Sequence, residues 1–404
     1  MLLGFITHSA DYYIIARLFR AEPVSEALVA ITSAVHRFRM PTFFLLSGFF
    51  AALLVARYGL KGAAASRIRR ILVPFLIALA TILPLTLYLY FCMVATVTGN
   101  RAAFIKDAAQ GMRILSQMTA WHVPTFSVMH LWFLHFLIVL YLLVPLWESL
   151  MQLAGRQRWA TRVEQAAARP QMILLLSVPT ALALWPHPGA IVPIDDRSLV
   201  PDLAGLGYYA IFFFAGYSLY RCRGILDTFR AHVPAYGTLA VLLFLCLYVP
   251  GWVGAGGSFA GRTATVAAAA LCTWMSIYCV CGLYLNTFDR LSSRVRYLDE
   301  ASYWIYLIQV PLIFLIGILL TPLQAADVVK FGILALLTLL ASLASYALVR
   351  DTWVIRLLSS RSQRLPRPGS ASAGECQAAG EFANGIVVGT AEPGGGSARG
   401  APRM

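Results

Sequence analysis

Ile71-Leu-Val-Pro-Phe-Leu-Ile-Ala-Leu-Ala-Thr-Ile-Leu-Pro-Leu-Thr-Leu-Tyr-Leu-Tyr-Phe-Cys-Met-Val-Ala-Thr-Val-Thr98 contains no Asp, Glu, Lys or Arg. About 20 residues of helix, rising ~1.5 Å each, cross the ~30 Å hydrocarbon core of a bilayer, and this run is longer than that. A helix on the surface of a water-soluble domain would carry charged residues at helical period on its outer face, and this one has none. Runs of the same kind recur on both sides of it, near 38–56, 128–150, 171–187, 205–220, 235–252, 263–285, 301–320 and 328–349, with a shorter one, Met1–Ala10, at the start. The chain therefore reads as all-α, a polytopic membrane bundle of about ten transmembrane helices.

Composition agrees. Of 404 residues, 59% are hydrophobic and 12% charged, against about a quarter charged in an average soluble domain. The net charge of +14 does not mark a nucleic-acid partner, because the Arg residues sit in short clusters between apolar runs and form no basic face for a phosphate backbone. The seven Cys residues fall mostly inside apolar runs, with neither disulfide-framework nor metal-ligand spacing, so no metal is expected.

The clusters encode topology. Arg57, Lys61, Arg67, Arg69 and Arg70 follow the second run; Arg156, Arg158, Arg162 and Arg169 the fourth; Arg221, Arg223 and Arg230 the sixth; Arg290, Arg294 and Arg296 the eighth. The alternate connections are poorer in Arg and Lys, which places the rich set and both termini in the cytoplasm. A first helix running from Met1 to His8 would be only ~10 Å long. Either one or two helical turns precede Met1, which is the reading preferred here, or the helix continues past His8 and Asp11 toward Ile15 as an unusually polar segment. The Ser, Gly, Ala, Pro and Arg-rich stretch 357–404 is expected to be a disordered cytoplasmic tail behind a membrane domain of residues 1–356.

Chemistry is sought among polar residues that interrupt or border apolar runs. His8 has Asp11 about one helical turn away, so a carboxylate can orient an imidazole able to act as a general base; an interfacial His satisfied by water is the plainer alternative. In His36-Arg37-Phe38-Arg39-Met40-Pro41, the two Arg residues at a helix mouth could hold an anionic acyl or glycan group or simply snorkel to headgroups. Ser47-Gly48 most often marks close helix packing. Arg67, Arg69 and Arg70 suit the phosphates of a nucleotide-bearing donor as well as they suit topology. His130 and His135, five apart, point about 140° away from each other on a helix, poor geometry for one metal, and Trp132 between them belongs to an ordinary aromatic belt. Gln309 is a polar residue deep in a run that Pro311 should kink.

In this order, His8, the Phe-Phe-x-x-Ser-Gly-Phe run at Phe43–Phe49, the Arg-rich entry Arg67–Pro74, Trp132–Leu134 and the Ser-Tyr-x-Ile-Tyr-Leu-x-x-x-Pro-Leu run at Ser302–Leu312 resemble the acyltransferase 3 family of integral membrane acyltransferases, over nearly the whole chain to about Arg356. Phe38–Pro41 and Ser302–Leu307 look most like the branch associated with succinylation of osmoregulated periplasmic glucans. The resemblance implies a multi-pass protein of the bacterial inner membrane that moves an acyl group, such as succinyl, from cytoplasmic acyl-CoA to a hydroxyl of a glycan or glycolipid. It implies His8 and Asp11 as catalytic residues, with His8 acting as base or being transiently acylated. Arg37, Arg39, Ser47 and Trp132 would bind substrate, and Arg67, Arg69 and Arg70 the donor. The chain departs from the family pattern twice: the Arg or Lys usual about ten residues before the His would precede Met1, and Gln309 stands where the family often has His. The alternatives are a transporter or flippase of the modified glycan, which an internal inverted repeat would favour and none supports, and an inactive family member. The oligomeric state is not written in any of these runs.

Overall fold

The computed structural model describes residues 3–99, 128–153, 155, 171–192, 202–220, 224–248, 258–287 and 293–352. Its regular structure is helical, with no strand among the described residues. In chain order the helices are α1 (Leu3–Phe19), α2 (Glu26–Arg67), a π-helical turn (Ile68–Leu72), α3 (Val73–Ala80), α4 (Ile82–Thr98), a 3-10 turn (Met129–Leu131), α5 (Trp132–Leu153), α6 (Met172–Leu184), α7 (Leu203–Leu219), α8 (Gly224–Ala231), α9 (Val233–Tyr248), α10 (Phe259–Thr287), α11 (Ser293–Leu320) and α12 (Asp327–Val349). Among the described residues, five stretches are long and apolar enough to cross a membrane: 26–80, 129–153, 259–287, 297–320 and 327–349. Ile82–Thr98, Met172–Leu184, Leu203–Leu219 and Val233–Tyr248 are shorter apolar helices. Arg101, Lys106, Arg113, the Arg156–Arg169 cluster, Arg197, Arg221, Arg223, Arg290 and the tail 357–404 lie outside the described residues.

Three helices differ from the apolar runs that announced them. The first does not end at Ala10 but continues through His8 and Asp11 to Phe19, because its polar side chains find partners on neighbouring helices. The second begins at Glu26 rather than near residue 38, so Arg37 and Arg39 lie well inside a helix and not at its mouth. Its main break is at Gly59, whose φ of 68° lies in the left-handed region that glycine enters without a Cβ penalty. The third run divides at Thr81 into α3 and α4. In the first turn of α3, Pro74 has no N–H to give the Arg70 carbonyl, and the preceding turn widens to π geometry there.

The core is aromatic. Phe44 stacks on Tyr209 at 4.6 Å and packs edge-on to Phe133 at 5.0 Å, while Trp132 lies 5.4 Å from both Phe136 and Tyr209. α2 and α7 approach so closely that a Cβ built on Gly48 would lie 1.8 Å from the Phe213 carbonyl oxygen, and one on Gly216 1.9 Å from that of Leu45. Such small-residue contacts let helix backbones touch where lipid supplies no hydrophobic drive between helices. Polar groups are satisfied locally: Thr86, Ser177, Thr180 and Thr273 each donate to a carbonyl four residues back. Arg262 caps the exit of α6 by donating to the carbonyls of Trp185 and His187.

α1 is enclosed by elements distant in sequence. Arg17 near its end donates to both carboxylate oxygens of Asp327, the first residue of α12, at 2.7 and 3.2 Å, and also pairs with Glu22. Gly317 of α11 lies against the Tyr12 ring, where a Cβ would come within 2.4 Å of a ring carbon.

Candidate active site

The spacing of His8 and Asp11 brings them to one face of α1, with Nδ1 of His8 3.6 Å from Asp11 Oδ2. The same carboxylate oxygen lies 3.7 Å from Nε2 of His36, on α2. One carboxylate is thus shared by two imidazoles from adjacent helices. The distances exceed a direct hydrogen bond, as is common at catalytic groups before substrate tightens them. The three side chains are 23 to 34% exposed, so they are not sealed in the core.

Arg39, one helical turn beyond His36, is 6% exposed. It donates to Thr7 Oγ1 and, at 3.4 Å, to the Leu3 carbonyl, so a guanidinium spans the first turns of α1. Among the described residues its Nε has no partner and no carboxylate is hydrogen-bonded to it, although Asp11, Tyr209 and Tyr306 lie within electrostatic reach. A buried cation of this kind is costly unless something anionic completes it. Arg37, two residues away, faces elsewhere: it lies within electrostatic reach of Tyr208 on α7 and Cys272 on α10. The structure therefore separates the two Arg residues that the sequence grouped, and only Arg39 meets His8's helix.

The wall opposite is made by the 3-10 turn and α11. His130 is 7% exposed and sits before α5, so the helical-wheel argument that set it against His135 does not apply. Its Nε2 is 3.1 Å from the Leu307 carbonyl, and the Tyr306 hydroxyl donates to the His130 carbonyl at 2.6 Å. His8 lies within electrostatic reach of His130. Gln309, 1% exposed, presses its amide on the start of α1, where a Cβ on Gly4 would be 2.9 Å from both the amide nitrogen and oxygen. His135 stacks instead on Phe75 at 6.1 Å.

The remaining predicted residues lie apart. Trp132 is buried in the aromatic core beside Tyr209. Ser47 is half-buried and offers its carbonyl to the Tyr141 hydroxyl at 3.1 Å. The Arg67 guanidinium lies over the Tyr141 ring, 4.9 Å from its centroid. Arg69 is exposed and Arg70 half-buried on the π-turn, and no carboxylate pairs with Arg67, Arg69 or Arg70 among the described residues. The arrangement offers one locus for proton transfer beside a buried cation, and a second, separate locus of cations that no carboxylate pairs among the described residues.

Sequence reasoning passed over His36, His130 and Tyr306. His36 stood in the same run as Arg37 and Arg39, three cationic or titratable groups in four residues, which singles the run out, but its connection with Asp11 depends on how α1 and α2 pack.

The profile of the acyltransferase 3 family, described as an acyltransferase domain, matches residues 1–347. Curated relatives include the glucans biosynthesis protein C of Salmonella paratyphi B, of Salmonella dublin and of Salmonella enteritidis PT4. Each is 23% identical over 315 residues, covering 75% of this chain and 77% of the relative. No solved structure matches the chain. With an all-helical body, several apolar helices of membrane-crossing length and a family match over most of its residues, the chain belongs to the acyltransferase 3 family and is a multi-pass membrane acyltransferase.

Proposed function

We propose that the protein is an O-acyltransferase of the bacterial inner membrane that moves an acyl group from cytoplasmic acyl-CoA to a hydroxyl of a periplasmic glucan or another cell-envelope glycan. The observation that carries this reading is the meeting of His8, Asp11 and the buried Arg39 on facing turns of α1 and α2. The glycan acceptor is supported by the names of the curated relatives.

Asp11 favours the proton on His8 Nδ1, leaving Nε2 to take the proton of the acceptor hydroxyl as its oxygen attacks the thioester carbonyl carbon. The carbon–sulfur bond then breaks, and the His8 imidazolium returns the proton to the departing CoA thiolate. A two-step form of the same chemistry acylates His8 first and passes the acyl group to the hydroxyl second. Arg39 suits a dicarboxylic acyl group such as succinyl, whose distal carboxylate would complete the buried guanidinium by charge-assisted hydrogen bonds. Arg67, Arg69 and Arg70 would hold the CoA phosphates. Their lack of carboxylate partners among the described residues supports that role. On the positive-inside rule this reading has the π-turn and both termini cytoplasmic, with ten crossings; a reporter fused near Arg113 should read periplasmic and one after Arg70 cytoplasmic, and the reverse at either point would break this topology.

His8→Ala should cut acylation by about 10² to 10⁴, the usual worth of a general base, with insertion and protein level unchanged. Activity within a few-fold of wild type would remove His8 from the mechanism.

A further inference from the structure

His130 carries an unfilled hydrogen-bonding position beside the proposed base. Its Nε2 faces a carbonyl oxygen, that of Leu307, at 3.1 Å, so Nε2 must hold the ring proton and Nδ1 must present a lone pair. That Nδ1 is buried and has no partner among the described residues, whereas buried polar side-chain atoms are nearly always paired. The backbone is strained to put it there: Met129, just before it, has φ of 43°, left-handed for a residue with a side chain. The Tyr306 hydroxyl clamps the His130 carbonyl at 2.6 Å, so ring and backbone are both tied to α11. A second buried acceptor without a partner among the described residues, Gln309 Oε1, stands on α11 against the start of α1.

Orphaned acceptors call for donors, and an acceptor glycan is rich in hydroxyls. The reacting hydroxyl cannot serve, because it has a single proton and His8 removes it. We propose that His130 Nδ1 accepts a hydrogen bond from a hydroxyl neighbouring the one that is acylated, and so positions the sugar and selects which hydroxyl reaches His8. The proposal rests on the acyl-transfer reading above. His130 is then a specificity-determining residue that touches the acceptor and moves no proton.

Two substitutions separate this from a purely structural role. His130→Gln can place its amide nitrogen near the Nε2 position and keep the bond to the Leu307 carbonyl, but has no acceptor where Nδ1 stood. His130→Asn keeps an acceptor near Nδ1 and cannot reach Leu307. The measurement is ester-linked acyl content of the envelope glycan fraction from cells expressing each form, together with thermal stability of the detergent-extracted protein. The expected result is a roughly tenfold loss of ester in His130→Gln, the worth of one hydrogen bond, at unchanged stability, with His130→Asn retaining more ester than His130→Gln. Full ester content in His130→Gln overturns the proposal, as does the inverse pattern, an intact Gln variant and an unstable Asn variant. Failure of both variants to accumulate also overturns it, since holding α11 would then be the ring's role. If the wild-type protein adds no acyl ester to the glycan, the acyl-transfer reading falls, and this proposal with it.

Discussion

Two stretches of α2, separated by less than two helical turns, are built on opposite terms. Phe43 to Gly48 is packed to the limit: Phe44 is fully buried among aromatic rings, and Gly48 lies against the backbone of α7 with no room for a methyl group. His36 to Arg39 is held by polar contacts reaching across to α1, and it leaves the Nε atoms of Arg37 and Arg39 without partners among the described residues. In a membrane the first arrangement supplies the attraction between helices, while the second leaves polar groups incomplete at a cost. The contrast assigns scaffold and chemistry to separate turns of one helix, so that each can be damaged alone.

The largest expected effect comes from the packed stretch. Gly48→Ala or Gly216→Ala should force α2 and α7 apart and cost about 3 kcal/mol or more, the upper range for overpacking, because a backbone carbonyl cannot rotate away. Thermal melts in detergent should show the loss, and a stable Gly48→Ala protein would mean that the two helices do not pack this way. Arg39→Lys should leave those melts near wild type yet lower activity on the order of 10- to 100-fold, since the planar fork to Thr7 and to an anionic group is lost while the charge remains. Arg37→Lys, on the other side of α2, should do much less. Equal losses in the two would erase the distinction drawn between them. The smallest effect is expected far from both stretches. Replacing Arg67, Arg69 and Arg70 by Lys together keeps the positive-inside signal and should raise the acyl-CoA needed for half-maximal rate by only a few-fold to about tenfold. An unchanged donor requirement would assign the cluster to topology alone.

How much of this was legible in the sequence follows from where each contact lies. The helices could be read because uncharged runs of membrane length admit little else, and the pairing of His8 with Asp11 because it is a contact within one helix at i,i+3. Gly48 could be read as a packing residue from its apolar setting. The sharing of Asp11 with His36 could not, because it depends on how α1 and α2 face each other and no periodicity within either helix contains that. The same holds for Arg37 and Arg39: two residues apart, they point to different sides of α2, and only the position of α1 decides which one enters the site. His130 could be set apart from His135 by spacing, but its bond to the Leu307 carbonyl could not be read, because it depends on how the 3-10 turn meets α11. The first helix was cut short at Ala10 because hydropathy counts Asp11 and Arg17 as exits from the membrane, whereas Asp11 faces His8 and His36, and Arg17 is paired with Glu22 and Asp327.

The clasp between Arg17 and Asp327 has a consequence for how the protein is made. α1 leaves the ribosome first, but its neighbours include α11 and α12, which emerge last, and its end is tied to the opening residue of α12. For most of synthesis, then, the helix carrying His8 waits in the bilayer with polar side chains that lack their final partners. A nascent chain halted before Asp327 would contain every proposed reacting group and still leave the end of α1 without this clasp.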